Sequence, residues 1–178
     1  MSVIVRETAE TKVRIEVGRA AGGSQVETGL PFLNHMLVTL AKYSGLDLNI
    51  RAHGDLRHHL MEDVAIAVGT GVGRIIPATA ARYADRFVPM DDALVHAAID
   101  VGGRAYCQGP LPNRLYDHWM RSFCQNAGVT LHLRVLRGTN RHHILEAAFK
   151  ALGLALRDAL VDSGTVFSTK GAVALEVK

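Results

Sequence analysis

Cysteine is scarce: Cys107 and Cys124 are the only two in 178 residues, and they form no C-x-x-C pair. That excludes a disulfide framework and a thiolate metal cluster, and both read as reduced packing residues of a cytosolic protein. No apolar run is long enough to cross a bilayer, and the N-terminus lacks the apolar core of a signal peptide. A cytoplasmic location with no membrane partner is therefore expected. Aromatic residues make up 6%, no Lys/Arg-rich run occurs, and the formal net charge of +3 is mild. These shortages argue against a nucleic-acid partner and leave room for a small anionic ligand. What remains is ordinary for a soluble globular chain: 48% hydrophobic and 21% charged, long enough for one core or two fused halves.

Histidine, by contrast, is concentrated. His58-His59-Leu60-Met61-Glu62 recurs as His142-His143-Ile144-Leu145-Glu146, 84 positions later. With nine His, one such match by chance is roughly a 2 in 100 event, and two are far rarer. On a helix, residues i and i+4 share a face, so His58 sits over Glu62 and His142 over Glu146. Adjacent residues point about 100° apart, so His59 and His143 turn away from those pairs. Each motif should thus give a His/Glu pair to one metal and a lone His to another. Two copies imply two metals, each bound by both motifs.

The rest of the chain supplies a frame for these motifs. Residues 3–17 include an alternation of Val13, Ile15 and Val17 against Lys12, Arg14 and Glu16, which reads as a half-buried strand with Glu10 preceding it. A Gly-rich turn and a short strand at residues 25–28 follow. A helix is expected from Leu30-Pro31 to Gly45, with Asn34 as its N-cap, then a strand over 46–52. Residues 70–90 read as a join punctuated by Gly71, Gly73, Pro77 and Pro89, which divides the chain into halves 1–88 and 89–178. Asp91 and Asp92 suit a turn, with catalytic carboxylates as the alternative.

The second half repeats the first. His118 opens a helix ending at Gly128 as His35 opens one ending at Gly45, both pairs 83 apart; Gly138 matches Gly54 at 84. An internal duplication has carried its ligands with it, so His35 and His118 join the candidates. Six imidazoles and two carboxylates suit zinc, manganese or iron. His53, His96 and His132 have no partner in the repeat and read as structural. Lys150 follows Glu146 by one turn where the first half has Ile66, a one-sided cation suited to an anionic substrate. Ser168-Thr169-Lys170-Gly171 offers hydroxyls and a cation for a phosphate.

Taken together, these landmarks resemble a known family. Thr8-Ala9-Glu10-Thr11, Gly29 to Leu37, both HHxxE motifs, Pro89 to Leu94, Gly103-Arg104, Leu131-His132, Phe149-Lys150-Ala151 and Ser168 to Gly171 follow the order of the imidazoleglycerol-phosphate dehydratases. The resemblance implies an α+β fold of two similar halves, each a four-stranded sheet backed by two helices. It implies conversion of imidazole glycerol phosphate to imidazole acetol phosphate in histidine biosynthesis, with two manganese ions per subunit. His35, His59, His142 and Glu146 look like one ligand set, and His58, Glu62, His118 and His143 like the other. The resemblance also implies active sites formed between subunits of a closed homo-oligomer of about 24 chains. Glu10, Arg82, Arg104, Lys150, Ser168, Thr169 and Lys170 fall where the family contacts substrate, and Glu10, Glu62 and Glu146 are the candidates for the carboxylate that moves protons.

Some positions depart from the family. Asn34 and Val38 stand where Asp is usual, Leu60 replaces a common Thr, and the segment from Asp55 to His58 is about three residues short. Two other readings share the ligand set, a metal-storage assembly and a dimetal phosphate-ester hydrolase. Lys150, Arg82, Arg104 and the Ser-Thr-Lys loop are superfluous to storage and favour a phosphorylated ligand.

Overall fold

Alternation in the strands sets the architecture. Strand β2 (Thr11–Gly18) buries Val13, Ile15 and Val17 and turns its charged residues outward. Its repeat β6 (Ala93–Asp100) buries Val95, Ala97 and Ile99 in the same rhythm. Each is the second strand of a four-stranded sheet with one apolar face, which must be covered by helices. The computed structural model describes residues 1–19 and 23–167.

The first sheet runs β1 (Ser2–Glu7), β2, β4 (Asp47–Gly54), β3 (Gln25–Glu27), antiparallel except for the β3–β4 pair. The second runs β5 (Tyr83–Met90), β6, β8 (Thr130–Arg137), β7 (Tyr106–Gln108) with the same pattern. Helices α1 (Pro31–Ser44) and α2 (Arg57–Ile75) belong to the first half, α3 (Arg114–Ala127) and α4 (Arg141–Ala159) to the second. The two halves thus share one topology, as expected, and their helices pack across the divide, α2 on α3 and α1 on α4.

Several local expectations change. Residues 3–17 form two strands, because Thr8 Oγ1 accepts from the backbone N–H groups of Glu10 and Thr11 and reverses the chain there. Glu10 therefore sits in a hairpin turn. Helix α1 starts earlier than Asn34: Leu30 is its cap and Pro31, with no N–H to satisfy, its first residue. Asn34 Oδ1 instead accepts from the Thr28 N–H at 3.1 Å and the Thr28 hydroxyl at 2.6 Å. Asp117, its repeat equivalent, accepts likewise from the Leu111 N–H at 3.2 Å. Only an acceptor atom is used, so Asn34 and Asp117 serve alike.

Gly71 and Gly73 lie inside α2 rather than in a link. A Cβ at Gly71 would stand 2.6 Å from Val17 Cγ2, and one at Gly73 would stand 2.9 Å from the Ala127 carbonyl oxygen. They permit close packing where punctuation was expected. Pro89 lies in β5, an edge strand, where a missing N–H is tolerated. The division anticipated between residues 88 and 89 falls within β5.

Candidate metal centre

The helix crossings bring the histidines together. His35 is the fifth residue of α1 and His118 the fifth of α3, and each meets the first two turns of the helix from the other half. His35, His142 and Glu146 form one group, and His58, Glu62 and His118 another; in each, the candidate ligand atoms all lie within 4.8 Å of one another. Glu146 Oε2 is 3.1 Å from Nε2 of both His35 and His142. His58 and His118 stack with ring centroids 5.3 Å apart.

The donor set fits a borderline divalent cation: two imidazoles and a carboxylate per group, no thiolate. His118 Nε2 gives an independent sign. It is buried with no hydrogen-bond partner among the described residues, yet lies 3.3 Å from Glu62 Oε2 without hydrogen-bonding alignment. A cation shared between the two atoms would supply the missing partner. Glu146 is buried, which alone would raise its carboxyl; Lys150 at 2.9 Å and His35 outweigh that and hold it down to about 2. It is therefore an ionised donor at neutral pH.

His59 and His143 behave as the helix geometry requires, facing away from the pair on their own helix. His59 Nδ1 lies 3.0 Å from Asp55 Oδ1 and 3.3 Å from Glu10 Oε2. Its hydrogen bond to the Asp55 carboxylate raises the His59 imidazole above its ordinary value and in turn lowers the Asp55 carboxyl. His143 Nδ1 lies 2.7 Å from Asp92 Oδ1, and its Nε2 is 3.5 Å from Asp91 Oδ2. The expectation that each metal is bound by both motifs is thus not met inside one chain. Each group combines one motif's His/Glu pair with the α1 or α3 histidine of the other half.

The remaining candidates scatter. Lys150 does share the His142/Glu146 face, but it pairs with Glu146 and stands over the Tyr43 ring at 5.6 Å. Arg82, at φ 78, binds Asp100 through two nitrogens at 2.8 and 3.2 Å and donates to the Phe167 carbonyl at 3.1 Å. Arg104 is exposed beyond β6. Ser168, Thr169 and Lys170 lie outside the described residues. Of the partners of the lone histidines, Asp55 carries no signal in the sequence, and Asp92 reads there as a turn residue or a catalytic carboxylate rather than as a partner of His143. Glu10 and Asp92 occupy equivalent hairpin turns, 82 positions apart, and that spacing was the available signal.

Comparison with known proteins identifies the family. The family model of imidazoleglycerol-phosphate dehydratase matches residues 28–156. The dehydratase of Salinibacter ruber is 43% identical, covering 97% of this chain and 95% of its own. That of Pyrobaculum aerophilum is 45% identical, covering 95% and 98%. A crystal structure of IGPD from Pyrococcus furiosus superposes with a TM-score of 0.86 at 36% identity, covering 96% of this chain and all of that one. The Staphylococcus aureus dehydratase structure gives 0.81 at 31% identity, covering 92% of this chain. Two matched halves, two His/His/Glu groups and relatives of this closeness lead to one conclusion: the chain belongs to the imidazoleglycerol-phosphate dehydratase family, hydro-lyases of histidine biosynthesis.

Proposed function

We propose that the chain dehydrates imidazole glycerol phosphate to imidazole acetol phosphate in the cytoplasm, using two manganese ions per subunit. The observation that carries this reading is the pair of His/His/Glu groups, each assembled from both halves. His35, His142 and Glu146 would hold one ion and His58, Glu62 and His118 the other. Each group has three protein donors within reach, and His59 and His143 lie outside both groups. The fourth ligand of each ion would then come from a neighbouring subunit's His59 or His143, in a closed homo-oligomer with shared sites. The family resemblance puts the assembly at about 24 subunits.

Bound divalent metal supplies Lewis-acid charge that favours an ionised imidazole on the substrate. The chain's own groups supply the rest. The C–H proton must move to a base while the neighbouring hydroxyl leaves as water, and the resulting enol becomes the ketone. Glu10 would do that proton work; what supports this is a carboxylate more than half exposed, in a turn and beside His59. Glu62 and Glu146 are committed to their metal groups. Lys170, Ser168 and Thr169, with Arg82 and Arg104, would grip the phosphate by charge-assisted hydrogen bonds. Lys150, held on Glu146, would set the charge beside one metal group.

Incubating the manganese-loaded protein with imidazole glycerol phosphate tests the reading against its rivals. The keto product is expected. Release of inorganic phosphate would make the chain a hydrolase, and unchanged substrate would make it a metal-storage scaffold.

A further inference from the structure

Asp92 is more firmly held than a turn residue needs to be. It lies between β5 and β6, and its Oδ2 accepts from the Thr139 N–H at 2.7 Å, the Asn140 N–H at 3.0 Å and the Thr139 hydroxyl at 3.2 Å. Its Oδ1 takes His143 Nδ1 at 2.7 Å. Asn140 is in turn the N-cap of α4, accepting from the His142 N–H. One carboxylate thus ties the hairpin to the start of the helix that carries His142, His143 and Glu146.

The geometry points to Asp92 as the positioning residue that fixes His143 in its Nδ1–H tautomer, so that Nε2, 3.5 Å from Asp91 Oδ2, presents a lone pair to a ligand. A carboxylate can only accept, so the ring must donate through Nδ1. Three donors on Oδ2 prevent the carboxylate from turning, so Oδ1 stays fixed and aligns the ring.

The first half solves the same problem with a different residue. His59 Nδ1 is met at 3.0 Å by Asp55, whose repeat equivalent is Thr139. In one copy the carboxylate stands in the loop before the helix. In the other, the loop residue is a donor and the carboxylate stands in the hairpin. Two separate solutions to one ring orientation are what a required orientation produces. Glu10, the hairpin counterpart of Asp92, also approaches His59 Nδ1, at 3.3 Å against 3.0 Å for Asp55.

This inference rests on the proposed role of His143 as a metal ligand, and its test separates the two. In Asp92→Asn, the side-chain carbonyl can replace Oδ2 toward Thr139 and Asn140, which keeps the loop. The amide nitrogen then faces His143 Nδ1 as a donor and demands the Nε2–H tautomer. Magic-angle-spinning 15N spectra of histidine-labelled, metal-stripped protein read this directly, at a pH where the ring is neutral. His143 is assigned by loss of its signals in His143→Asn. The expected result is Nδ1–H in the parent protein and Nε2–H in Asp92→Asn. Thr139→Val, which removes one hydroxyl from Oδ2, should leave the tautomer unchanged. An unchanged tautomer in Asp92→Asn would overturn the proposal, whatever happens to stability. Manganese titration of the same variant should show about tenfold to hundredfold weaker binding at one class of sites. A switched tautomer with unchanged manganese affinity would uphold the role of Asp92 and remove His143 from the ligand set.

Discussion

Gly69 and Gly153 occupy equivalent positions where the helices of the two halves cross, and replacing Gly69 by alanine tests how the first metal group is built. A Cβ at Gly69 would lie 2.5 Å from the Phe123 carbonyl oxygen and 3.1 Å from the Ala127 nitrogen. Both are backbone atoms of α3, so no side chain can swing aside. Restoring an ordinary contact of 3.4 Å requires α2 and α3 to separate by about 0.9 Å. Overpacking of this kind costs about 1–3 kcal/mol, and the gain in helix propensity returns up to about 1 kcal/mol. A net loss of about 1–2 kcal/mol lowers Tm by about 2–8 °C for a chain of this size. His118 stands five residues before Phe123 on the same helix, so the displacement also widens its 3.3 Å approach to Glu62. Circular dichroism melts of metal-free protein and metal analysis of loaded protein, compared at equal protomer concentration, read both effects. Gly69→Ala should melt lower and lose manganese from one group, while the His35/His142/Glu146 group keeps its ion. A variant that melts higher and retains full metal would refute the close-crossing argument.

Three further outcomes follow from the same geometry. Glu62→Gln and Glu146→Gln should each strongly weaken one of the two metal sites, and full occupancy of both sites in both variants would end the ligand assignment. Metal removal should favour smaller particles in light scattering that regrow with manganese, because a site completed by a neighbour links subunits. Lys170→Ala should reduce kcat/KM by about tenfold to a hundredfold, with hydrogen bonds to charged groups worth about 1.5–3 kcal/mol. The substrate without its phosphate should react poorly with the parent protein and lose little further in that variant; an equal penalty on both substrates would exclude a phosphate grip.

How far the sequence carried the account depended on the range of each interaction. The HHxxE pairs were legible because i,i+4 geometry is local, and the orientation of His59 and His143 followed from the same helix. His35 and His118 were legible only through the duplication, since a lone histidine on a helix carries no signal by itself. Asn34 misled because cap preference is a local rule, and the chain had already opened the helix with Pro31 and used the Asn carbonyl on Thr28. Gly71 and Gly73 resembled a link because glycine marks both turns and close helix contacts, and only the position of Val17 and Ala127 distinguishes them. Asp55 and Asp92 were missed as partners of the lone histidines. Asp92 reaches His143 across 51 positions, a contact that no periodicity reports.

The central claim is that each ion is held by a His/His/Glu group of one chain and completed by the lone histidine of a neighbour. Anomalous diffraction from crystals of the manganese-loaded protein tests it most directly. The account predicts an ion bound by His35, His142 and Glu146, a second bound by His58, Glu62 and His118, and at each a further imidazole donated by an adjacent subunit. Anomalous peaks lying elsewhere, or ions whose protein ligands all come from one chain, would contradict it.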